Sequence, residues 1–353
     1  MKGITGMGAL ARGLTRERIL LIIVVGMLVA IAHLTPKFLT ATNLQITSRY
    51  LVEVGLVAIP MTMVILIRGI DISVGSIVAL TTIVLGFSWS VYRLPMALAI
   101  LLALAVATLC GFLNGLVITR LGVPDLVTTL STMAIYRGIA EGLGRGERVY
   151  LYEDPIMRFL GEGRILGIPI GLFVLLPAVF IAGVVLDRTP WGRALYAIGH
   201  NETAARFAGI RVDRIRWIAY TLSGLASGLS AVFLAGRLGT ARATAGLGLE
   251  FEVITAVVVG GTAISGGEGS IWGSFLGVVM VTALRNGLNL IGVPSPIQAM
   301  IIGALLILTV LANENLRLRI RGWVRRAVPA PPEVTPGVEP ASVANPSSSQ
   351  ERR

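Results

Sequence analysis

Apolar residues along this chain come in long runs broken by short polar stretches. Ten runs stand out: Ile19–His33, Leu51–Ile67, Ile72–Trp89, Pro95–Thr119, Leu126–Ala140, Ile165–Leu186, Trp217–Gly236, Phe251–Ser265, Ile271–Ile291 and Pro296–Ala312. About 20 apolar residues in a helix match the hydrocarbon thickness of a bilayer. In lipid, a helix satisfies its own backbone polar groups and an open sheet does not. The pattern therefore predicts an all-α polytopic membrane protein of about ten segments, with a membrane domain over 19–312.

Composition reinforces this. A length of 353 residues would permit two soluble domains, but 54% hydrophobic against 14% charged residues argues against them. A formal charge of +11 would suggest nucleic acid in a soluble chain. Here it reads as topology, because Lys and Arg collect on cytoplasmic loops and meet anionic headgroups there. The partner implied is the lipid bilayer, with no nucleic acid.

The loop 187–216 carries Arg188, Arg193, Arg206, Arg211, Arg214 and Arg216 against Asp187, Glu202 and Asp213. Flanked by two membrane runs and rich in Arg, it is expected in the cytoplasm. With both termini inside as well, the sides alternate and most of the remaining basic residues also fall inside. Within the loop, "ALYAIGHNETAARFAGI" predicts a short helix opened by Asn201 and closed by Gly209, shaped to dock a soluble partner. The outer loop 141–164 balances acids and arginines, which suits either contact with a soluble extracytoplasmic protein or an ordinary hydrated loop. Residues 1–18 form a cytoplasmic N-terminal segment. Ala30-Ile31-Ala32 fits a signal-peptidase site, but the many runs that follow favour an uncleaved first span. Residues 313–326 are expected to form a basic interfacial segment, and 327–353 are expected to be a disordered cytoplasmic tail. The single Cys110 lies within a run and forms no intrachain disulfide.

Several runs are irregular. Leu126–Ala140 is short and hydroxyl-rich, and Phe251–Ser265 runs into "GGTAISGGEGS". Broken helices belong where protein or a watery cavity surrounds them, as in transport pathways. In "RGIDISVGS", Arg68 pairs with Asp71 or Asp71 caps the next helix; both readings stand. The pairs Gly111/Gly115, Gly224/Gly228 and Gly273/Gly277 permit close helix crossings. A faint echo links "ISVGSIVAL" and "NGLVITRLGVP" with "ISGGEGSIW" and "NGLNLIGVP". The acids lie at segment ends or in loops, which argues against a proton- or sodium-coupled carrier. No P-loop, zinc or serine-hydrolase motif occurs, so ATP is not bound here through a P-loop.

Four motifs carry a family resemblance: "GIDISVGSIVAL" with Gly69, Asp71, Ser73 and Gly75; "NGLVITRLGVPDLVTTLSTMAIYRG"; "GRALYAIGHNETAARFAGI"; and "VVVGGTAISGGEGSIWG". Together they resemble the permease subunits of bacterial ATP-binding-cassette sugar importers, the ribose, xylose, arabinose, rhamnose and autoinducer-2 branch. The resemblance runs from about Pro36 to Ala312. It implies a type II importer-like bundle in the bacterial inner membrane, importing a monosaccharide or small polyol. The implied partners are a cytoplasmic ATPase that carries ATP and Mg, a periplasmic binding protein, and a second permease chain, identical or related. The chain itself would hold no cofactor and catalyse nothing. Family motif G-G-N-P-E-A-A-R stands here as G-H-N-E-T-A-A-R, which maps ATPase coupling onto Asn201, Glu202, Ala204, Ala205, Arg206 and Gly209. "VPDLVTTLSTM" departs from the family's commoner aromatic-isoleucine form near Leu126. A neutral cargo calls for amide and hydroxyl walls, and Asn114, Thr128, Thr129, Ser131, Asn286 and Asn289 qualify, with helix–helix hydrogen bonding as the other reading of each.

Overall fold

The computed structural model describes residues 16–327. The expected tail beyond Ala327 and residues 1–15 lie outside the described residues. Thirteen helices dominate the described part: α1 (Arg16–Leu34), α2 (Ala41–Leu66), α3 (Val74–Ser90), α4 (Met96–Arg120), α5 (Asp125–Gly144), α6 (Pro155–Glu162), α7 (Leu172–Arg188), α8 (Pro190–His200), α9 (Glu202–Phe207), α10 (Val212–Leu238), α11 (Leu249–Val259), α12 (Ile271–Leu290) and α13 (Ser295–Ala327). Five of them (α1 from Glu17, α2, α4, α10 and α12) are long and apolar enough to cross a membrane, and α7 with α8 makes a sixth candidate bent by 69°. The basic stretch 313–326 falls in the last turns of α13.

α10 is the central helix, packed against α2, α3 and α4. The α4–α10 crossing is close because Gly111 and Gly224 face each other. A methyl group on Gly111 would lie 2.8 Å from the Gly224 Cα. Lipid tails are as apolar as leucine, so this bundle is held by such packing and by hydrogen bonds more than by burial from water.

The structure corrects several boundaries. α2 begins at Ala41, ten residues before the apolar run, because polar Asn43, Gln45, Thr47, Ser48 and Arg49 interrupt the hydrophobic pattern without interrupting the helix. Thr40 opens it by accepting the Asn43 N–H at 3.4 Å. α5 is an unbroken 20-residue helix, so the expected short segment at Leu126–Ala140 is neither short nor broken. The run from Ile165 is not helical until Leu172: β2 (Arg164–Ile165) and β3 (Ile168–Pro169) form a hairpin around Leu166 and Gly167, both at positive φ. β1 (Val149–Tyr150) pairs antiparallel with β4 (Thr240–Ala241), so the fold is mostly helical with four two-residue strands rather than purely α. The loop 141–164 is thereby tied to the bundle. Its α6 is capped by Asp154, which accepts the Ile156 N–H at 2.8 Å, and it packs on α10 through Gly161 and Gly236. The break expected after Phe251 is present, since α11 is 11 residues long and ends before Gly260. The echoed motifs open α3 and α12 and close α4 and α12.

Candidate functional site

Three groups of polar residues are set into the bundle. The first surrounds α9. Thr189 and Pro190 open α8, the threonine hydroxyl accepting the Gly192 N–H at 3.2 Å. Proline suits a first helical position, whose N–H has no partner anyway. α8 ends at His200, and extended Asn201 starts α9 by accepting the Ala204 N–H at 3.0 Å. Gly209, with φ +82°, ends the turn in the left-handed region that favours glycine. The short helix, its opening residue and its closing residue are as the sequence predicts.

Arg206 donates to Glu202 (3.0 Å) and to Asp213 (2.6 Å), and Arg216 donates to the other Glu202 oxygen at 3.0 Å. Partial burial pushes the Glu202 carboxyl up, but the Arg206 hydrogen bond and the Arg216 charge outweigh it and hold the group below its usual value. The hydrogen bonds that Arg206 donates to Asp213 and Glu202 hold its guanidinium above its usual value. Glu202 and Arg206 are thus committed to their own chain. Ala205 is buried beneath them, whereas Ala204 faces outward. Phe207 is 89% exposed at the tip of α9. Sequence reasoning missed it; its signal is an aromatic directly after Arg206 in a charged loop.

This element is seated by two other motifs. Arg68, at the end of α2, donates to the carbonyls of Gly199 (2.7 Å) and His200 (2.9 Å). It does not pair with Asp71, because its left-handed backbone (φ 65°) turns it toward α8. Gly267 donates to the Leu66 carbonyl at 2.9 Å, and Tyr196 to the Gly269 carbonyl at 2.8 Å. "RGID", "GHNE" and "SGGEGS" therefore meet at one end of the bundle.

The second group is buried behind them. Asp71 accepts from the Ser73 N–H (3.0 Å), the Ser73 hydroxyl (2.6 Å) and the Ser223 hydroxyl (2.7 Å). Ser73 Oγ accepts from Asn114 Nδ2 at 2.8 Å, and Asn114 Oδ1 accepts from Tyr136 at 3.0 Å. Gly69 packs against Asp125 and Tyr220, and Gly75 against the Glu250 carboxylate. Thr129 donates to the Ile70 carbonyl at 3.0 Å; Thr128 is buried with its hydroxyl unpartnered among the described residues. Arg216 links the two groups: it lies 4.0 Å from Asp125, which in turn accepts the Tyr220 hydroxyl at 2.8 Å.

The third group is at the other end of the bundle. Glu53, midway along α2 and 3% exposed, binds Arg237 through two contacts of 2.5 and 2.8 Å. Glu252 binds both Arg285 and Tyr50, and Arg237 and Arg285 each lie over the Tyr50 ring. The acids are therefore not all at segment ends and in loops: Glu53 is buried midway along α2, whereas Glu250 and Glu252, also buried, are in the first turn of α11. The pairings of Glu53 with Arg237 and of Glu252 with Arg285 are hidden in the sequence because the arginines are far away along the chain. Beside the ion pairs is a cavity of about 240 Å³, lined in part by Tyr50, Arg237, Thr282, Arg285, Asn286, Asn289 and Gln298.

The pathway candidates thus separate. Asn286 and Asn289 line this cavity, with Asn286 doubly bonded to Asn43 at 2.9 Å. Asn114, Thr128 and Thr129 are enclosed between helices near Asp71, and Ser131 is on the exposed face of α5.

Residues 44–310 match the family described as branched-chain amino acid transport system / permease component. The chain is 38% identical over 297 residues to the ribose import permease of Bacillus subtilis, covering 82% of this chain and 90% of that protein. It is 36% identical over 299 residues to an autoinducer 2 import system permease of Photorhabdus laumondii, covering 82% and 89%. It is 33% identical over 305 residues to the fructose import permease of Rhizobium meliloti, covering 84% and 85%. No solved structure matches it.

Proposed function

The chain belongs to the branched-chain amino acid transport system / permease component family and is a sugar-type ATP-binding-cassette importer permease, a transport component rather than an enzyme, and from that premise we propose that it carries a monosaccharide or small polyol inward under the drive of a separate ATPase docked on α9. The observation that carries this is Phe207. It stands 89% exposed on a short capped helix whose charges are already paired within the chain. An aromatic anchor on a rigid polar mount suits a hydrophobic groove in a soluble partner. Ala204 lies on the same helix with room for close approach, while Ala205 and Gly209 shape the mount.

In this reading ATP and Mg reside on the partner, a periplasmic binding protein delivers cargo, and a second permease chain completes the pathway. The bundle is of the type II importer kind with about ten segments, counting shorter apolar helices such as α3 and residues 295–311. Both termini are cytoplasmic, and 187–216 and 141–164 lie on opposite faces. Motion of α9 would reach the interior through Arg216, since the Asp125–Tyr220 and Asp71–Ser223 bonds lie directly behind it. A rival, proton-coupled carrier draws on Glu250, which is buried with Oε2 unpartnered among the described residues.

Co-purification decides between them. With the ATPase co-expressed, wild-type chain brings it down; Phe207→Asp, and charge reversal at Glu202 and Arg206 together, release it. Retention of the ATPase by both variants would refute α9 as the docking element.

A further inference from the structure

The cavity at the α2–α10–α12–α13 end has no role in coupling, yet its chemistry is specific. Its two arginines are each matched by a carboxylate, Arg237 by Glu53 and Arg285 by Glu252, so the wall carries no excess charge for an ionic ligand. What remains open is mixed and neutral. The Asn289 side chain has no hydrogen-bond partner among the described residues. Gln298 uses Nε2 on the Val293 carbonyl at 2.7 Å, which leaves Oε1 as an acceptor. Arg285 uses Nη1 on the Tyr50 hydroxyl at 2.6 Å and keeps further N–H donors.

Open donors and acceptors together on a charge-balanced wall suit groups that both give and receive hydrogen bonds, that is, adjacent hydroxyls. The space is about 240 Å³. It is smaller than the roughly 300–1,000 Å³ of pockets for drug-sized ligands. One sugar ring fits the space better than two. The ion pairs also make the wall rigid: Tyr50 is held by Glu252 and Arg285, and Asn286 is fixed by Asn43.

We infer that this cavity, built by Tyr50, Arg285, Asn286, Asn289 and Gln298, is a binding site within one chain for a single uncharged sugar ring or cyclic polyol. The inference rests on the proposed import of small polyols and adds a place where such a molecule is held.

Thiol protection tests it. Cys110, the one cysteine of the chain, is buried, so Ser295→Cys, at the exposed edge of the same lining and outside the five residues that build the site, introduces a single accessible thiol. In full-length chain reconstituted in nanodiscs, D-ribose, D-fructose or myo-inositol is expected to slow maleimide labelling at least fivefold, with inorganic phosphate giving no protection. Gln298→Leu added to Ser295→Cys should weaken that protection about tenfold in ligand concentration, while thermal unfolding confirms that the variant is folded. If none of the three protects, or if phosphate protects equally, the inference is overturned. Uptake by the complete transporter, measured in parallel, separates the two claims: sugar uptake without protection overturns the site alone, and absence of ATP-driven uptake overturns the transport reading.

Discussion

Removing Arg237 should be far more damaging than removing the whole ion pair to which it belongs. Glu53 is 3% exposed and reaches Arg237 through contacts of 2.5 and 2.8 Å. Arg237→Met strands that carboxylate in the bundle, and breaking a buried pair from one side costs about 3–5 kcal/mol. The lost ring contact with Tyr50, at 5.8 Å, supplies only about 0.5–1 kcal/mol of this. Replacing both partners, Glu53→Leu with Arg237→Met, removes the stranded charge and should return stability to within about 1 kcal/mol of wild type. The four proteins of the cycle are compared by denaturant unfolding of purified chain in detergent, followed by tryptophan fluorescence. If Arg237→Met unfolds within about 1 kcal/mol of wild type, or the double variant is no more stable than that single one, the pair does not hold the bundle as described.

Arg216→Met should leave Arg206 on Glu202 and Tyr220 on Asp125 but cut the link between them. ATPase binding is then retained while transport per ATP hydrolysed falls roughly 5- to 150-fold, the range of typical coupling energies; unchanged stoichiometry would remove Arg216 from the relay. Glu202 has a depressed folded-state value, so its ionised form stabilises the fold above its unfolded pKa of about 4.3 and that contribution disappears as pH falls through the lower folded value. Wild type should accordingly exceed Glu202→Gln in unfolding midpoint by a constant margin from pH 7 to 5, and the margin should shrink only below about pH 4.3. A margin that shrinks above pH 5 contradicts the assignment. Ser223→Ala removes one of three hydrogen bonds to buried Asp71 and should cost about 1.5–3 kcal/mol in the same unfolding assay.

What the sequence reveals depends on how local each signal is. Asn201 and Gly209 bracket α9 by rules spanning a few residues, and that element is legible from the chain alone. Apolar runs likewise mark the cores of α4 and α12 closely. The start of α2 is hidden because a helix lined by Asn43, Gln45, Thr47 and Arg49 does not look apolar, although Asn43 bonds to Asn286 across 243 residues. The same distance in sequence conceals Glu53–Arg237 and Tyr50–Glu252–Arg285, and with them the cavity they border. Proximity in sequence offers Asp71 as one partner for Arg68, but its partners lie on α8. The amide and hydroxyl candidates rest on residue type, and type does not distinguish Asn289 at a cavity wall from Asn114 locked between helices.

The account turns on a separate motor driving this bundle through α9. The direct measurement is sugar uptake into proteoliposomes containing the chain, its partner permease and the ATPase, with and without ATP, a proton ionophore and Phe207→Asp. The account predicts uptake that requires ATP, ignores the ionophore and is lost in the variant. Uptake that proceeds without the ATPase and collapses with the ionophore would contradict it.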